Sequence, residues 1–376
     1  MAEEAPGDYL ATPRPAPDLH IPSSSCTVDV RIIDTTSRTK SPAAMVYSQR
    51  IPGLDQLDLS SYSFLISHIK QDKHVLFDLG MRKDWETFFK PQTVGMLKQW
   101  APTTVEKGVH EILDEDAGQL GITTKSISAI VWSHHHVDHR GDLSVFPPAT
   151  ELIVGPGFRQ AHLPGSEDNP QSLMADKEIE GRPLRELENE EFTLKLGRLP
   201  AHDFFGDGSF YILSTPGHTV GHLSALARVS TNPTSSSFVF MGGDCAHYPG
   251  AFRPTEYLPL PREIPAVPGS RFGIAPCPGA WLEEYVHPTK SATEPFVTTN
   301  SFVNERPDDA AHSLSAMEEF DASDDVLVCI AHDTTLLGNV DFYPNKLNDW
   351  KRQGRKVPVR WNFCGDFDVR TAKHSS

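Results

Sequence analysis

Apolar residues arrive along this chain in short runs separated by polar stretches rich in glycine and proline. TVDVRII (27–33), YSFLISHI (62–69) and HVLFDLG (74–80) are β-branched and aromatic runs of strand length, which predicts strands. Helical stretches are predicted around WETFFK (85–90) and VHEILDEDAGQL (109–120), before a further strand in SISAIVW (126–132). The second half repeats the rhythm, with strands predicted in ELIVG (151–155), FTLKL (192–196), SFYILST (209–215), HLSALARVS (222–230), SFVFMGG (237–243) and VLVCIAHD (326–333). Residues 247–300 break it: they are dense in proline and aromatics and show no period. A loop of that length is usually functional or mobile. Residues 1–24, rich in Pro, Ala and Ser, read as a flexible lead-in to a single domain over 25–376.

The candidate chemistry begins where a predicted strand ends. Residues 133–142, SHHHVDHRGD, hold four histidines and two aspartates. Such side chains are costly to bury unless something pairs with them. In extended backbone, residues i and i+2 point the same way, so His134 and His136 can grip one ion, and the following turn can offer Asp138 and His139 to a second. Nitrogen and oxygen ligands without thiolate suit zinc, iron or manganese, with zinc favoured for hydrolysis. Three more metal-capable residues leave apolar runs in the same manner: His218 in STPGHTVGH, Asp244 in MGGDC and His332 in CIAHD. His135 alternates away from this set, His222 packs or hydrogen-bonds at a strand start, and Cys245 faces the core.

Charge and composition narrow the classes. The 34 Lys and Arg stand against 50 Asp and Glu, a net charge of -16 with no basic run, which argues against a nucleic-acid partner. Five cysteines without a CxxC pair exclude a disulfide scaffold or a thiolate zinc knuckle. The N-terminal MAEEAPGDYLATPRPAP lacks an apolar core, so a signal peptide is not expected. Neither is a membrane span. A cytoplasmic setting is the simplest expectation.

Taken in order, LFDLG, HHHVDH, TPGHTVGH, GGD and AHD resemble the motifs of the metallo-β-lactamase superfamily over about 27–340. The resemblance implies an α+β fold: an αββα sandwich of two mixed β-sheets flanked by helices, with the site along one edge. It implies that His134, His136 and His218 hold one metal, that Asp138, His139 and His332 hold the other, and that Asp244 bridges them. Two zinc ions (Zn2+) per chain are expected, with iron or manganese as alternatives. A hydroxide between the ions would attack directly, with Asp138 orienting it or returning its proton, and without a covalent intermediate.

Within the superfamily, TPGHTVGHLSAL, GGD and AHD are most similar to lactonases of the acyl-homoserine-lactone type. That implies a small-molecule lactone or ester as substrate, and leaves assembly as a homodimer open. The alternative is a thioesterase. SHHHVDH resembles glyoxalase II, although RGD and AHDTT depart from its later motifs; fungal polyketide acyl-carrier-protein thioesterases share the HxHxDH core. An iron-dependent oxidoreductase of this fold is disfavoured by the full ligand set. Many such lactonases place a substrate-binding tyrosine three residues after the bridging aspartate. Here that position is His247, followed by Tyr248, so either is expected at the scissile carbonyl. Phe252, Tyr257, Phe272, Trp281 and Tyr285 in 247–300 are expected to wall an acyl or aryl pocket, the other reading being a surface or dimer contact.

Overall fold

In a computed structural model, which describes residues 8–165, 168, 172–231, 236–265 and 276–367, the apolar runs pair into two large sheets. The first is built from β1 (Asp29–Pro42), β2 (Gln56–His68), β3 (Lys73–Phe77), β4 (Thr103–Thr104), β5 (Ile127–Val131), β6 (Glu151–Val154) and β7 (Leu184–Glu186). Its order is β4-β1-β2-β3-β5-β6-β7, antiparallel up to β3 and parallel beyond it. Next come β8 (Leu194–Leu196), β9 (Leu199–Asp203), β10 (Phe210–Ser214), β11 (Leu223–Thr231) and β12 (Ser236–Met241), then a small ribbon of β13 (Glu263–Ile264) and β14 (Cys277–Pro278), and finally β15 (Val326–Cys329). The second sheet runs β15-β12-β11-β10-β9-β8, with only β12 and β15 parallel.

Alternation along each strand fills three apolar layers. Between the sheets lie Phe64, Val75, Phe77, Ala129 and Val131 from one side and Ile212, Ala225, Val239 and Met241 from the other. The opposite faces are buried too. Leu65, Leu76 and Ile130 pack on Val109 and Leu113 of helix Val109–Glu115, and Phe238, Phe240 and Val328 pack on Ala316, Met317 and Phe320 of helix Pro307–Ala322. Strands covered on both faces carry continuous apolar runs rather than alternation, which is the pattern in the sequence. The layers are helix, sheet, sheet, helix: an αββα sandwich. Among the described residues, no helix is long and apolar enough to cross a membrane.

Three features depart from the reading of the chain. Residues 8–24 are packed rather than free: the amides of Leu10 and Arg14 donate to the carbonyls of Leu260 and Glu256, the amide of Gly197 donates to Leu19, and Leu19 is buried. Helices Pro91–Trp100 and Pro307–Ala322 were not foreseen. The 247–300 segment carries the β13–β14 ribbon and helix Gly279–Tyr285, and buries Phe252, Leu258, Leu282 and Phe296 in the outer layer of the second sheet. Its described residues form a folded cover.

That cover is fastened by a buried ion pair. Nε and Nη2 of Arg253 each donate to Asp321 at 2.8 Å, and Nη1 reaches the carbonyls of Val359 and Arg360. Burial alone would raise the Asp321 carboxyl, but the charge and hydrogen bonds of Arg253 hold it down at about 2. A depressed carboxylate stabilises the fold fully above its ordinary value of about 4, and the contribution fades as pH falls toward 2. Asp321→Asn keeps the shape but strands a buried guanidinium. We expect it to cost about 3–5 kcal/mol in urea unfolding at pH 7, with a smaller difference from the parent at pH 3.

Candidate metal centre

The site is assembled by strands that end level with one another. Phe77 of β3 pairs with Val131 of β5, and Asp78 follows directly, its amide donating to Val131 at 2.9 Å. Met241 of β12 pairs with Cys329 of β15, and each strand delivers its metal-capable residue three positions later, Asp244 and His332. Both pairs are parallel, so their carboxyl ends share one edge, where open α/β sheets keep their sites. Glycines let the connecting turns close. Gly243 has φ +52, and a Cβ there would lie 3.0 Å from that of Ser133 and 2.9 Å from Nε2 of His222. A Cβ on Gly217 would lie 2.0 Å from the nitrogen of Ala310, so the turn carrying His218 can press against helix Pro307–Ala322 only as glycine.

All seven residues singled out as ligands meet there, in two groups. In each group the ligand atoms lie within 4.8 Å of one another: His134, His136, His218 and Asp244 in one, Asp138, His139 and His332 in the other. Asp244 spans both. Its Oδ2 is 3.6 Å from His134 Nε2, 3.5 Å from His218 Nε2 and 3.2 Å from His332 Nε2, and Oδ1 is 3.2 Å from Nε2 of both His139 and His332. Asp138 Oδ2 closes the second group at 3.8 Å from His139 and 3.6 Å from His332. His134 Nε2, His139 Nε2 and Asp244 Oδ1 are buried without a hydrogen-bond partner. Unsatisfied polar atoms at such depth are rare, and these converge, so the residues fit divalent metal.

The electrostatics agree. Burial, reinforced by neighbouring imidazoles, pushes His134, His136 and His218 well below the usual histidine range, which leaves them neutral, the form that ligates metal. Burial also opposes charge on His139 and His332, but Asp244 and Asp138 outweigh it and raise both. A pocket that favours protons on those rings favours a cation in their place.

Further side chains aim the ligands. Asp78, in the left-handed region at φ +59, accepts from the amide and hydroxyl of Ser133 at 2.6 and 2.7 Å and from His139 Nδ1 at 2.8 Å. His222 accepts the Asp244 amide at 3.0 Å on Nε2 and meets the Thr215 carbonyl at 3.0 Å through Nδ1; it positions rather than ligates. The carbonyl of Ser60 meets His332 Nδ1 at 2.5 Å, and Asn304 Oδ1 lies 3.4 Å from His218 Nδ1. Ser60 and Asn304 were not anticipated, since neither stands in a motif.

His247 and Tyr248 part company. His247 Nε2 lies 3.3 Å from Asp244 Oδ2, and its ring stacks on His332. Tyr248 points into the core, its hydroxyl 3.1 Å from the Phe363 carbonyl and 3.3 Å from Asp366. The expected aromatic wall is also redistributed. Phe252 is buried in the core, Tyr285 is 45% exposed, and Tyr257 lines a separate cavity with Arg14 and Trp361. Phe272 lies outside the described residues. A cavity of about 500 Å³ does adjoin the site: Cys245, next to Asp244, and Asn304 line it together with Ala251, Phe296 and Leu314, and none of the seven ligand candidates does. Because Asp78 fixes the His139 ring, Asp78→Asn should weaken metal binding about 10- to 100-fold in a chelator competition; unchanged affinity would refute that role.

Residues 57–228 match the model of the metallo-beta-lactamase superfamily. A metallo-hydrolase of Annulohypoxylon moriforme is 44% identical over 356 residues, 95% of this chain and 92% of that protein. A gamma-lactamase of Fusarium pseudograminearum is 43% identical over 366 residues, 95% of this chain and 87% of that protein. The same stretch is also part of longer proteins: a cytochrome P450 monooxygenase of Penicillium brevicompactum is 42% identical over 360 residues, 94% of this chain but 39% of that protein. Among solved structures, an N-acyl homoserine lactone hydrolase with N-hexanoyl-L-homoserine at its catalytic metal center superposes with a TM-score of 0.56 at 15% identity, covering 85% of this chain and 99% of that one. With its sandwich, its strand-end histidines and aspartates, and relatives alike over nearly its whole length, the chain belongs to the metallo-β-lactamase superfamily.

Proposed function

We propose that the protein is a dinuclear metal hydrolase that opens a small cyclic amide or ester, a lactam or a lactone. The observation that carries the reading is the position of Asp244, whose carboxylate lies within 3.6 Å of ring nitrogens from both ligand groups. Support for the substrate class comes from the gamma-lactamase relative. Divalent ions held by these residues would lower the pKa of a bound water toward neutrality and draw electrons from a carbonyl oxygen.

The chain's own residues divide the remaining work. Asp138 has a partly exposed side chain, at 23%, so it faces the entry side. Ser61 donates to its Oδ2 at 3.4 Å. There it takes the proton of the attacking water and returns it to the leaving nitrogen or oxygen. An amide nitrogen departs poorly as an anion, so a lactam depends on that return more than a lactone does. His247 stands over Asp244 and His332, where it donates to the substrate carbonyl, the place Tyr248 does not reach. The adjoining cavity, small and walled by Phe296 and Leu314, suits a compact apolar ring system.

In this account a zinc-loaded preparation should open γ-lactams and γ-lactones, and mass spectrometry should find no acylated protein. Cleavage of linear thioesters alone would refute it. Asp244→Ala should lose both ions together, and loss of a single ion would break the bridging assignment. His247→Ala should lower kcat about 10- to 1000-fold with metal content intact, while Tyr248→Phe should turn over like the parent. The reverse ranking would reject the role given to His247. Phe296→Ala should alter the preference between small and bulky rings; an unaltered ranking would take the cavity out of the reading.

A further inference from the structure

We infer that the chain carries an additional cation site behind the histidine cluster, formed by His135, His162 and Glu305. Their ligand atoms lie within 4.8 Å of one another. His135 and His162 are only 5% and 6% exposed, yet His135 Nδ1 and His162 Nε2 have no hydrogen-bond partner. An imidazole nitrogen buried without a partner is the kind of vacancy a ligand fills.

Glu305 is held in place. Its amide donates to the His218 carbonyl at 3.0 Å, and its Oε2 accepts the amide of Val220 at 2.6 Å. That leaves Oε1 for a ligand, and because Glu305 is exposed an ion can enter from solvent on its side. Two imidazoles and one carboxylate with an open fourth position are a zinc-type donor set.

Two features oppose binding, and both have an answer. The guanidinium of Arg140 is close enough to depress both rings, after burial itself. Glu178 pairs with it at 2.9 Å, and Glu305 adds a carboxylate on the open side. The rings are stacked, with centroids 3.7 Å apart and planes 24° from parallel. An imidazole ligates in its own plane, so the pair must splay to share an ion. Binding therefore exchanges a ring stack for two coordinate bonds.

The site adjoins the metal centre through the backbone. His135 stands between His134 and His136, and Glu305 grips the turn that carries His218. Its occupancy is nonetheless independent of the hydrolytic reading, because it involves none of the seven inner ligands.

The test is a titration of the full chain with Zn2+ alone, counted against a chromophoric chelator. The parent should bind one equivalent more than His162→Ala. Glu305→Gln, a conservative change at an exposed position, should bind that equivalent about 10-fold or more weakly. The same difference should persist in an Asp244→Ala background, which separates it from any failure of the inner pair. Equal stoichiometry and affinity in the parent and Glu305→Gln overturns the site, whether or not His162→Ala folds.

Discussion

Asp244 is a carboxylate 3% exposed, with nitrogens of His134, His139, His218, His247 and His332 all within 3.6 Å. So dense a set of polar groups away from water is tolerable only with compensating positive charge. Protons on His139 and His332 supply it in part. Divalent ions would supply it in full and would also satisfy the orphaned nitrogens. The rest of the architecture serves to hold this one carboxylate between the two groups of histidines.

The fold achieves this by register. Two parallel strand pairs, one in each sheet, end level, so Asp78, Asp244 and His332 emerge at a common edge without long connections. Gly243 then allows Asp244 to pass against Ser133 and His222, and Asp78 fixes His139 from behind. Ser133 and Ser60 likewise meet the outer nitrogens of His134 and His332, the kind of partner that orients a metal-binding imidazole.

Much of this was legible in the sequence. Strands buried on both faces leave continuous apolar runs, and every candidate ligand follows one, so HxHxDH, His218, Asp244 and His332 could be read as convergent. The helices were harder. Helix Pro307–Ala322 buries Ser313, Glu319 and Asp321 beside Ala316, Met317 and Phe320, a mixture of polarity that blurs the helical period; its Pro307 and paired Asp308 and Asp309 were the signal available. Helix Pro91–Trp100 buries only Leu97. The direction of Tyr248 depends on the turn after Gly243, not on residue type, and nothing in the sequence separated it from His247. The order of residues 8–24 comes from scattered backbone bonds and Leu19, which leave no periodic trace.

The central claim is that one carboxylate joins two ions at this edge, and anomalous diffraction across the zinc absorption edge measures it directly. Crystals of zinc-loaded protein should show two peaks about 3.5–4 Å apart flanking the Asp244 carboxylate, one among His134, His136 and His218 and the other among Asp138, His139 and His332. A single peak, or two that do not share Asp244, would contradict the account.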